Sequence, residues 1–224
     1  ASSGVDFAMS SRHNELEANL RAVEAEVASY APTLIVVTKT YPVSDVEILR
    51  DLGAENFGEN RSSEGVEKSA QVAASWHYQG EIQSKKLREI MRWADCIHSL
   101  DNPDHWEKIA RIASEAGRPL SLFLQLSLDG DPERGGAIEA ELFALAAKVA
   151  ANSDVELLGM MCVPPVSIEP TVAFAKIADI HRRFTAEFPQ SPYLSAGMSG
   201  DYMIALDHGA THIRVGSKIL GPRQ

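Results

Sequence analysis

Cysteine is scarce in this sequence: the 224 residues contain two, Cys96 and Cys162. They lie far apart, and neither belongs to a CxxC motif or a paired-histidine spacing, so the chain carries no zinc pattern and no disulfide framework. We interpret both cysteines as small buried hydrophobic residues, and we expect no metal site. Sparse, unpaired cysteine is also typical of a reduced, cytoplasmic compartment.

Long apolar runs are absent as well. No stretch approaches the roughly 20 apolar residues that a membrane-spanning helix needs. The opening residues, ASSGVDFAMSSR, lack the charged and apolar regions of a signal peptide. We therefore expect no membrane association, and we interpret residues 1–10 as a disordered or tag-derived N-terminus followed by a single domain at residues 11–224.

Positive charge is in deficit. The chain has 21 lysine and arginine residues against 31 aspartate and glutamate residues, which gives a formal net charge of -10. Its densest basic run, Lys85, Lys86 and Arg88, lies among acidic and apolar residues, as is usual for a solvated helix face. Because nucleic acids and anionic membranes would meet a repulsive field, we expect neither as a partner.

The sequence does contain a regular alternation of segments. An amphipathic helix from Ser11 to Tyr30 is followed by eight short apolar segments that alternate with eight helical ones. The lack of long linkers indicates parallel strands joined by right-handed crossovers. The GxGxxG fingerprint of a doubly wound open sheet is missing from the first strand-to-helix turn. We therefore predict a single-domain (β/α)8 TIM barrel preceded by an N-terminal helix.

Two helix starts carry recognisable capping patterns. Ser44 and Glu47 have the spacing of a capping box, which predicts that Ser44 caps the helix after the first strand. Asn102 followed by Pro103 predicts an N-cap and a first helical residue, and Gly117 is placed to end that helix.

Lys39 follows the first apolar strand, LIVV, by one residue. In barrels of this kind the chemistry gathers where strands end, at the C-terminal face. One interpretation is a rim lysine whose stem lies along the barrel with its ammonium group in water. The other is a partly desolvated amine of lowered pKa that captures a carbonyl group as a Schiff base. This residue alone leaves both open.

The loops after strands seven and eight read SAGMSGD and VGSKILG. These are the places where barrel enzymes often bind phosphate, with help from free amides at a helix start. Gly197 and Gly216 allow close backbone approach, and Ser199 and Ser217 offer hydroxyl groups. Glycine and serine are also ordinary turn residues, so the two loops together, rather than either alone, indicate a phosphate site.

A strand-end lysine opposite a phosphate site predicts a ligand that carries both an aldehyde and a phosphate, and pyridoxal phosphate is the leading candidate. Arg214 alternates with Ile213 and Val215 on strand eight. Its side chain would either face a ring nitrogen of this ligand or pair with a carboxylate at the rim, and the spacing does not decide between them.

Five motifs, TKTYP, FGEN, WHYQGEIQSKK, LSAGMSGD and GATHIRVGSKILG, resemble in order and spacing those of the pyridoxal phosphate homeostasis protein (YggS/PROSC) family. The resemblance extends from the first helix to Gly221. It implies a barrel like the N-terminal domain of alanine racemase, a fold-type III pyridoxal phosphate protein, with the cofactor held as a Schiff base on Lys39.

The resemblance also implies cofactor contacts from six further residues: Ser199 and the backbone of Gly216 and Ser217 at the phosphate, Arg214 at the pyridine nitrogen, Asn60 near the ring or its hydroxyl, and Met198 along the pocket wall. The chain departs from the family pattern at Lys85, where an asparagine is usual, and at RSSEG after GEN. Both departures lie away from these contacts. His77 and Gln83 belong to the motifs, but we interpret His77 as a core residue and assign neither to the site.

The expected function is that of a carrier or buffer in pyridoxal phosphate homeostasis, with little or no turnover. An arginine at the ring nitrogen keeps that nitrogen unprotonated and weakens the electron sink that carbanion chemistry needs. Alanine racemases add a tyrosine base from a C-terminal β domain of the partner subunit, whereas this chain ends at Gln224, just after strand eight. We expect a monomer, with pyridoxal phosphate-dependent apoenzymes as partners.

Two alternatives remain open at this stage. The first is a small fold-type III amino acid racemase or lyase that uses Tyr41, Tyr78 or His77 as its second base. The second is an aldolase that forms a Schiff base between Lys39 and a phosphorylated sugar.

Overall fold

A closed barrel of eight parallel strands forms the centre of the computed structural model, which describes residues 3–222. Each strand pairs with the next along the chain, and the last pairs with the first. The strands are β1 (Thr33–Val37), β2 (Asn56–Glu59), β3 (Ser75–Tyr78), β4 (Cys96–Leu100), β5 (Ser121–Leu126), β6 (Glu156–Cys162), β7 (Tyr193–Ser195) and β8 (His212–Val215). The predicted (β/α)8 barrel is confirmed.

The helices surround the barrel and contribute apolar side chains to one core with it. They are α1 (Ser3–Val27), α2 (Val43–Asp51), α3 (Ser62–Gln71), α4 (Leu87–Trp93), α5 (Pro103–Ala116), α6 (Glu139–Ala150), α7 (Pro170–Glu187), α8 (Tyr202–Asp207) and α9 (Ser217–Leu220). A short 3-10 helix at Ser84–Lys86 precedes α4. None of the helices within residues 3–222 is both long and apolar enough to span a membrane.

Helix α1 is the predicted N-terminal helix, shifted towards the N-terminus. It begins at Ser3 rather than Ser11 and ends at Val27, three residues before Tyr30. Within residues 11–27 its buried apolar residues are Leu16, Leu20, Val23 and Val27, which the three- and four-residue period predicts, whereas Tyr30, also predicted for this face, lies beyond the helix and is 41% exposed. The interpretation of residues 1–10 as disordered or tag-derived stays a prediction, and residues 1 and 2 lie outside the described residues.

The two predicted helix starts have different outcomes. Asn102 caps α5 as predicted: its side chain accepts a hydrogen bond from the amide of Asp104 at 2.8 Å, and Pro103 is the first helical residue. Gly117 ends the helix in the left-handed conformation. The capping box at Ser44 is wrong, because α2 begins at Val43 and its N-cap is Pro42, which makes no side-chain cap hydrogen bond.

The closing seam of the barrel positions the candidate site. Along this seam Ile35 of β1 lies opposite Arg214 of β8, and Val36 lies opposite Val215. The carboxyl end of β1 therefore opens beside that of β8, and Lys39 reaches the barrel mouth next to the loops that follow β7 and β8.

Candidate functional site

A cavity of about 420 Å³ opens at the carboxyl ends of the strands. All seven residues that the sequence assigned to a cofactor site line it: Lys39, Asn60, Met198, Ser199, Arg214, Gly216 and Ser217. The remaining lining residues are Val37, Gln79, Met161, Val163 and Gly200. The barrel thus brings the predicted residues together, while their binding of a cofactor stays a prediction.

Lys39 is half-buried and lies two residues beyond the end of β1. The chain turns at once after it: Thr40 adopts a left-handed backbone conformation with φ of 71°, and the amide of Tyr41 bonds to the carbonyl of Thr38 at 3.0 Å. Left-handed geometry is unfavourable for a β-branched residue and persists only where its surroundings enforce it. Here the carboxylate of Glu64 accepts the Thr40 amide at 2.9 Å.

A buried cluster of charged side chains lies beneath this turn. It holds the backbone at Thr38, the residue that precedes Lys39. The ammonium group of Lys68, on α3, donates to the carbonyl of Thr38 at 2.7 Å, to Glu59 at 2.7 Å and to Glu64 at 3.0 Å. The Thr38 hydroxyl donates to the same oxygen of Glu59. Burial raises the pKa of Glu59, and the hydrogen bond from Lys68 opposes that shift.

Sequence reasoning missed this cluster. Glu64 and Lys68 have the i,i+4 spacing of a helical ion pair, which usually indicates an exposed helix face. In the fold that face of α3 lies on the barrel, and Lys68 is 3% exposed. The burial follows from how α3 packs, which spacing alone does not reveal.

The loops after β7 and β8 meet and form one polar cradle. The hydroxyl oxygen of Ser199 accepts hydrogen bonds from the amides of Gly216 at 3.2 Å and Lys218 at 3.3 Å. Among residues 11–222 its own hydroxyl hydrogen has no hydrogen-bond acceptor, so the hydroxyl can donate to an anion. Gly197, with φ of 103°, lets the loop after β7 pack closely on α8, because a Cβ there would lie 2.9 Å from that of Ala205.

Arg214 is buried, 4% exposed, at the edge of the same cavity. Its Nη1 donates to the hydroxyl of Ser195 at 2.6 Å, and burial lowers its pKa to about 10. Among residues 11–222, whose side chains the structure describes, it forms no salt bridge with a carboxylate, so the rim-pairing alternative is wrong for that part of the chain. A buried guanidinium without a carboxylate is costly unless another acceptor meets it.

Gln79 is a lining residue that the sequence analysis did not assign. Its Nε2 donates to the Oδ1 of Asn60 at 3.2 Å, whereas its Oε1 is buried without a hydrogen-bond partner among the described residues. In this pair the Nδ2 group of Asn60 remains a donor, and the Oε1 atom of Gln79 remains an acceptor without a partner among the described residues. Its position one residue after β3, in the motif WHYQG, was the available signal.

The three residues considered as a second base all have other partners. The hydroxyl of Tyr41 donates to the carbonyl of Gly221, and that of Tyr78 donates to the carbonyl of Glu81 at 2.6 Å. Both ring nitrogens of His77 are hydrogen-bonded inside the barrel, as expected for a core histidine. None of the three lines the cavity. Among the described residues, its titratable lining groups are Lys39 and Arg214.

The cysteines are buried, as predicted. Burial raises the pKa of Cys96 well above its ordinary value and that of Cys162 to about 12. Both thiols therefore stay protonated at neutral pH, which makes them poor nucleophiles.

Comparisons with known proteins agree on one family. The family model described as alanine racemase, N-terminal domain, matches residues 12–224. The pyridoxal phosphate homeostasis protein of Corynebacterium glutamicum is 40% identical over 198 residues, which cover 85% of this chain and 90% of that protein.

Solved structures give the same result. PipY of Synechococcus elongatus, solved with pyridoxal phosphate bound, superposes with a TM-score of 0.84 at 31% identity, over 92% of this chain and all of that chain. Alanine racemase from Corynebacterium glutamicum shares the fold, with a TM-score of 0.75 at 16% identity over 94% of this chain and 62% of that one. The chain therefore belongs to the alanine racemase N-terminal domain family and, within it, to the pyridoxal phosphate homeostasis proteins.

Proposed function

We propose that this protein binds pyridoxal 5'-phosphate in the barrel-mouth cavity as a Schiff base on Lys39, and that it carries or buffers the cofactor with little or no turnover. One observation carries the proposal: a single cavity is lined by an amine, by a buried arginine without a carboxylate, and by a cradle of amides and a hydroxyl. These three features match the aldehyde, the ring nitrogen and the phosphate of that cofactor.

The residues present fit the cofactor chemically. The Lys39 amine, in its unprotonated form, attacks the aldehyde carbon; a C=N bond forms and one water molecule leaves. The Ser199 hydroxyl and the backbone of Gly216 and Ser217 would hold the phosphate oxygens, because donors at a helix start favour anions. The Asn60 amide would donate to the ring hydroxyl, with Met198 along the wall.

Arg214 would donate a hydrogen bond to the pyridine nitrogen. A guanidinium has no acceptor atom and, even with a pKa near 10, stays charged at neutral pH. It therefore holds the ring nitrogen in its unprotonated form. Bound pyridoxal phosphate supplies an electron sink in enzymes, and an unprotonated ring nitrogen makes that sink weak.

The lining also lacks the second acid–base group that racemisation requires. Within residues 3–222, Lys39 and Arg214 are its titratable members, and Arg214 is assigned to the ring nitrogen. A racemase needs bases on both faces of the substrate carbon. The cavity therefore supports capture and retention of the cofactor better than turnover of amino acids.

We further propose that the protein acts as a cytoplasmic monomer and supplies the cofactor to pyridoxal phosphate-dependent apoenzymes. Support for release is the exposure of the mouth, where Met198 and Val163 are 48% and 39% exposed.

The test is the near-ultraviolet and visible spectrum of the purified protein before and after borohydride. We expect an imine band that borohydride removes, with the mass of the reduced cofactor fixed on Lys39. Lys39→Ala should lack the band, whereas Lys86→Ala, which removes an exposed lysine outside the cavity, should keep it. A colourless protein that also fails to take up added pyridoxal phosphate would overturn the proposal. Trapping only with a phosphorylated sugar would indicate the aldolase.

Turnover needs a separate measurement. We expect no measurable exchange of the α-hydrogen with deuterium across a panel of amino acids. Exchange that is lost on changing Tyr41, Tyr78 or His77 would instead establish the racemase or lyase alternative.

A further inference from the structure

A line of five polar side chains crosses the barrel interior from the cavity to the amino end of β2. Arg214 Nη1 lies 2.6 Å from Ser195 Oγ, and Ser195 Oγ lies 2.8 Å from His98 Nδ1. His98 Nε2 lies 2.8 Å from His77 Nδ1, and His77 Nε2 lies 2.9 Å from Asn56 Oδ1. The five residues come from β8, β7, β4, β3 and β2.

The donors and acceptors of these five side chains determine which group donates at each step of this hydrogen-bond chain. A guanidinium can only donate, so the oxygen of Ser195 accepts from Arg214. The single hydroxyl hydrogen of Ser195 then goes to Nδ1 of His98, which must be unprotonated. A neutral His98 carries its hydrogen on Nε2 and donates it to Nδ1 of His77. His77 in turn donates from Nε2 to the amide oxygen of Asn56.

The reverse assignment leaves a buried group unsatisfied. If Asn56 donated to His77 and His77 to His98, then His98 would donate to Ser195, which already accepts from Arg214. The hydroxyl hydrogen of Ser195, a residue with 0% exposure, would have no acceptor along the chain. Burial also lowers the pKa of His77 to about 3 and that of His98 well below its ordinary range, so both rings stay neutral.

Packing holds the rings in place. His98 stacks on Phe123, with ring centroids 4.6 Å apart and planes inclined by 26°. Phe123 in turn packs edge-on against His212 of β8. A ring flip of His98 would have to displace this stack, so its two nitrogens remain aimed at Ser195 and His77.

A neutral chain affects Arg214 differently from a carboxylate. A carboxylate would hold the guanidinium but would also neutralise its charge. Serine, two neutral imidazoles and an amide hold Nη1, the carbonyl of Cys162 accepts from Nη2 at 3.5 Å, and no carboxylate pairs with the guanidinium among residues 11–222. The guanidinium therefore meets a cavity ligand as a cation, and its charge opposes protonation of any nitrogen placed against it.

We propose that Ser195, His98 and His77 are positioning residues that orient Arg214 without neutralising it, and so make the site selective for ligands with an unprotonated ring nitrogen. The identity of that nitrogen rests on the proposed function. The direction of the chain does not, because it is a property of the protein without ligand.

The first test is the tautomeric state of the histidines in the full-length, cofactor-free protein, measured by long-range ¹H–¹⁵N NMR of the imidazole nitrogens. We expect His77 and His98 to be neutral with the hydrogen on Nε2 in both. A hydrogen on Nδ1 of either ring, or an imidazolium, would overturn the assigned donor order of the hydrogen-bond chain. The Cys96 thiol lies near both rings, with ligand atoms within 4.8 Å of one another. Signals that shift on adding EDTA would show metal ligation and would also overturn it.

The second test removes the link nearest Arg214. Ser195→Ala should weaken binding of pyridoxal phosphate on the order of tenfold, the effect of one lost hydrogen bond to a charged group. With cofactor labelled with ¹⁵N in the ring, its nitrogen signal should move towards the protonated value. The matched control is Ser191→Ala, which removes another buried serine hydroxyl, one bonded to the carbonyl of Leu157 at 2.7 Å, and should change neither reading.

A conservative exchange separates positioning from mere packing. His98→Gln keeps an acceptor and a donor in series and should retain more of the binding than His98→Leu, which keeps neither. Unchanged affinity and an unchanged ring-nitrogen signal in Ser195→Ala would remove the positioning role. If the protein binds no pyridoxal phosphate at all, the proposed function fails. The histidine tautomers, measured without cofactor, still decide whether the hydrogen-bond chain from Arg214 to Asn56 exists.

Discussion

Lys68→Met offers the sharpest test of how the fold holds Lys39. The three N–H groups of the Lys68 ammonium each have an acceptor: the carbonyl of Thr38 and the carboxylates of Glu59 and Glu64, at 2.7 to 3.0 Å. Methionine keeps the length of the side chain and removes the charge. Glu59, at 0% exposure, would then retain the Thr38 hydroxyl and lose its cation.

The magnitude follows from burial. Removal of one partner from a buried ion pair costs about 3–5 kcal/mol, against a total stability of roughly 5–15 kcal/mol for a typical domain. For a chain of this size, the melting temperature should fall by roughly 6–20 °C, at about 2–4 °C per kcal/mol. Lys86→Met is the control: it breaks an exposed pair with Glu89 at 3.9 Å and should cost less than about 1 kcal/mol.

The assay is a double-mutant cycle by urea and thermal denaturation. Lys68→Met combined with Glu59→Gln removes both charges, so we expect the double variant to be more stable than Lys68→Met alone by about 2 kcal/mol. The raised pKa of Glu59 means that the folded state holds its proton more tightly than the unfolded chain does. The contribution of Glu59 to stability therefore falls as pH rises from the ordinary carboxyl pKa of 4.5 through the raised pKa of Glu59. Lys68→Met should accordingly lose less free energy of unfolding at pH 5 than at pH 8.

Two results would refute the reasoning. A cost below about 1 kcal/mol would mean that the pair behaves as a solvated surface pair. A double variant no more stable than the single one would mean that the Glu59 charge is not what Lys68 offsets. Formation of the imine band should also slow in Lys68→Met, because the carbonyl adjoining Lys39 loses its donor.

Further predictions concern the cradle and the buried histidines. Gly197→Ala should cost about 2–4 kcal/mol and weaken cofactor binding, because it adds a clash to a left-handed backbone; Gly53→Ala, with φ of 106° and open space, should cost only about 1 kcal/mol. Urea midpoints would show both, and equal losses would contradict the role of crowding. Burial lowers the pKa of His77 to about 3 and of His212 to about 4. Stability should therefore fall as pH drops below about 6.5, by up to about 1.4 kcal/mol per pH unit for each histidine, and His77→Gln should flatten this slope. A stability difference between pH 7 and pH 4.5 that is the same in the wild type and in His77→Gln would contradict it.

The sequence predicted the barrel and part of the cavity lining because both depend on local signals. Period-two and period-3.6 patterns define strands and helices, and residues just after strands collect at one face of the barrel. Lys39, Ser199 and Arg214 were found in this way. The capping box at Ser44 failed because Pro42, with its fixed φ, already sets the start of α2 two residues earlier.

The residues that the sequence did not reveal depend on contacts between distant elements. Lys68 meets Thr38 across 30 residues, and Ser195 meets His98 across 97. Each of them has an ordinary local interpretation, as an exposed helix pair or as a core histidine. Only the closed barrel places their partners, because neighbouring and facing strands determine which side chains share its interior.

The fold alone does not decide between a protein that holds a ligand and an enzyme that converts a substrate. Alanine racemase from Corynebacterium glutamicum has the same barrel at 16% identity. The decision lies in the charges around the cavity. In the proposed function a lysine supplies the covalent link, and an arginine held by neutral groups directs its charge at the ligand. Within residues 3–222, no further acid or base lines the wall to move a substrate proton. Under the proposed function, a site with a covalent link and a weak electron sink should bind the cofactor and release it unchanged, which is the behaviour that a carrier requires.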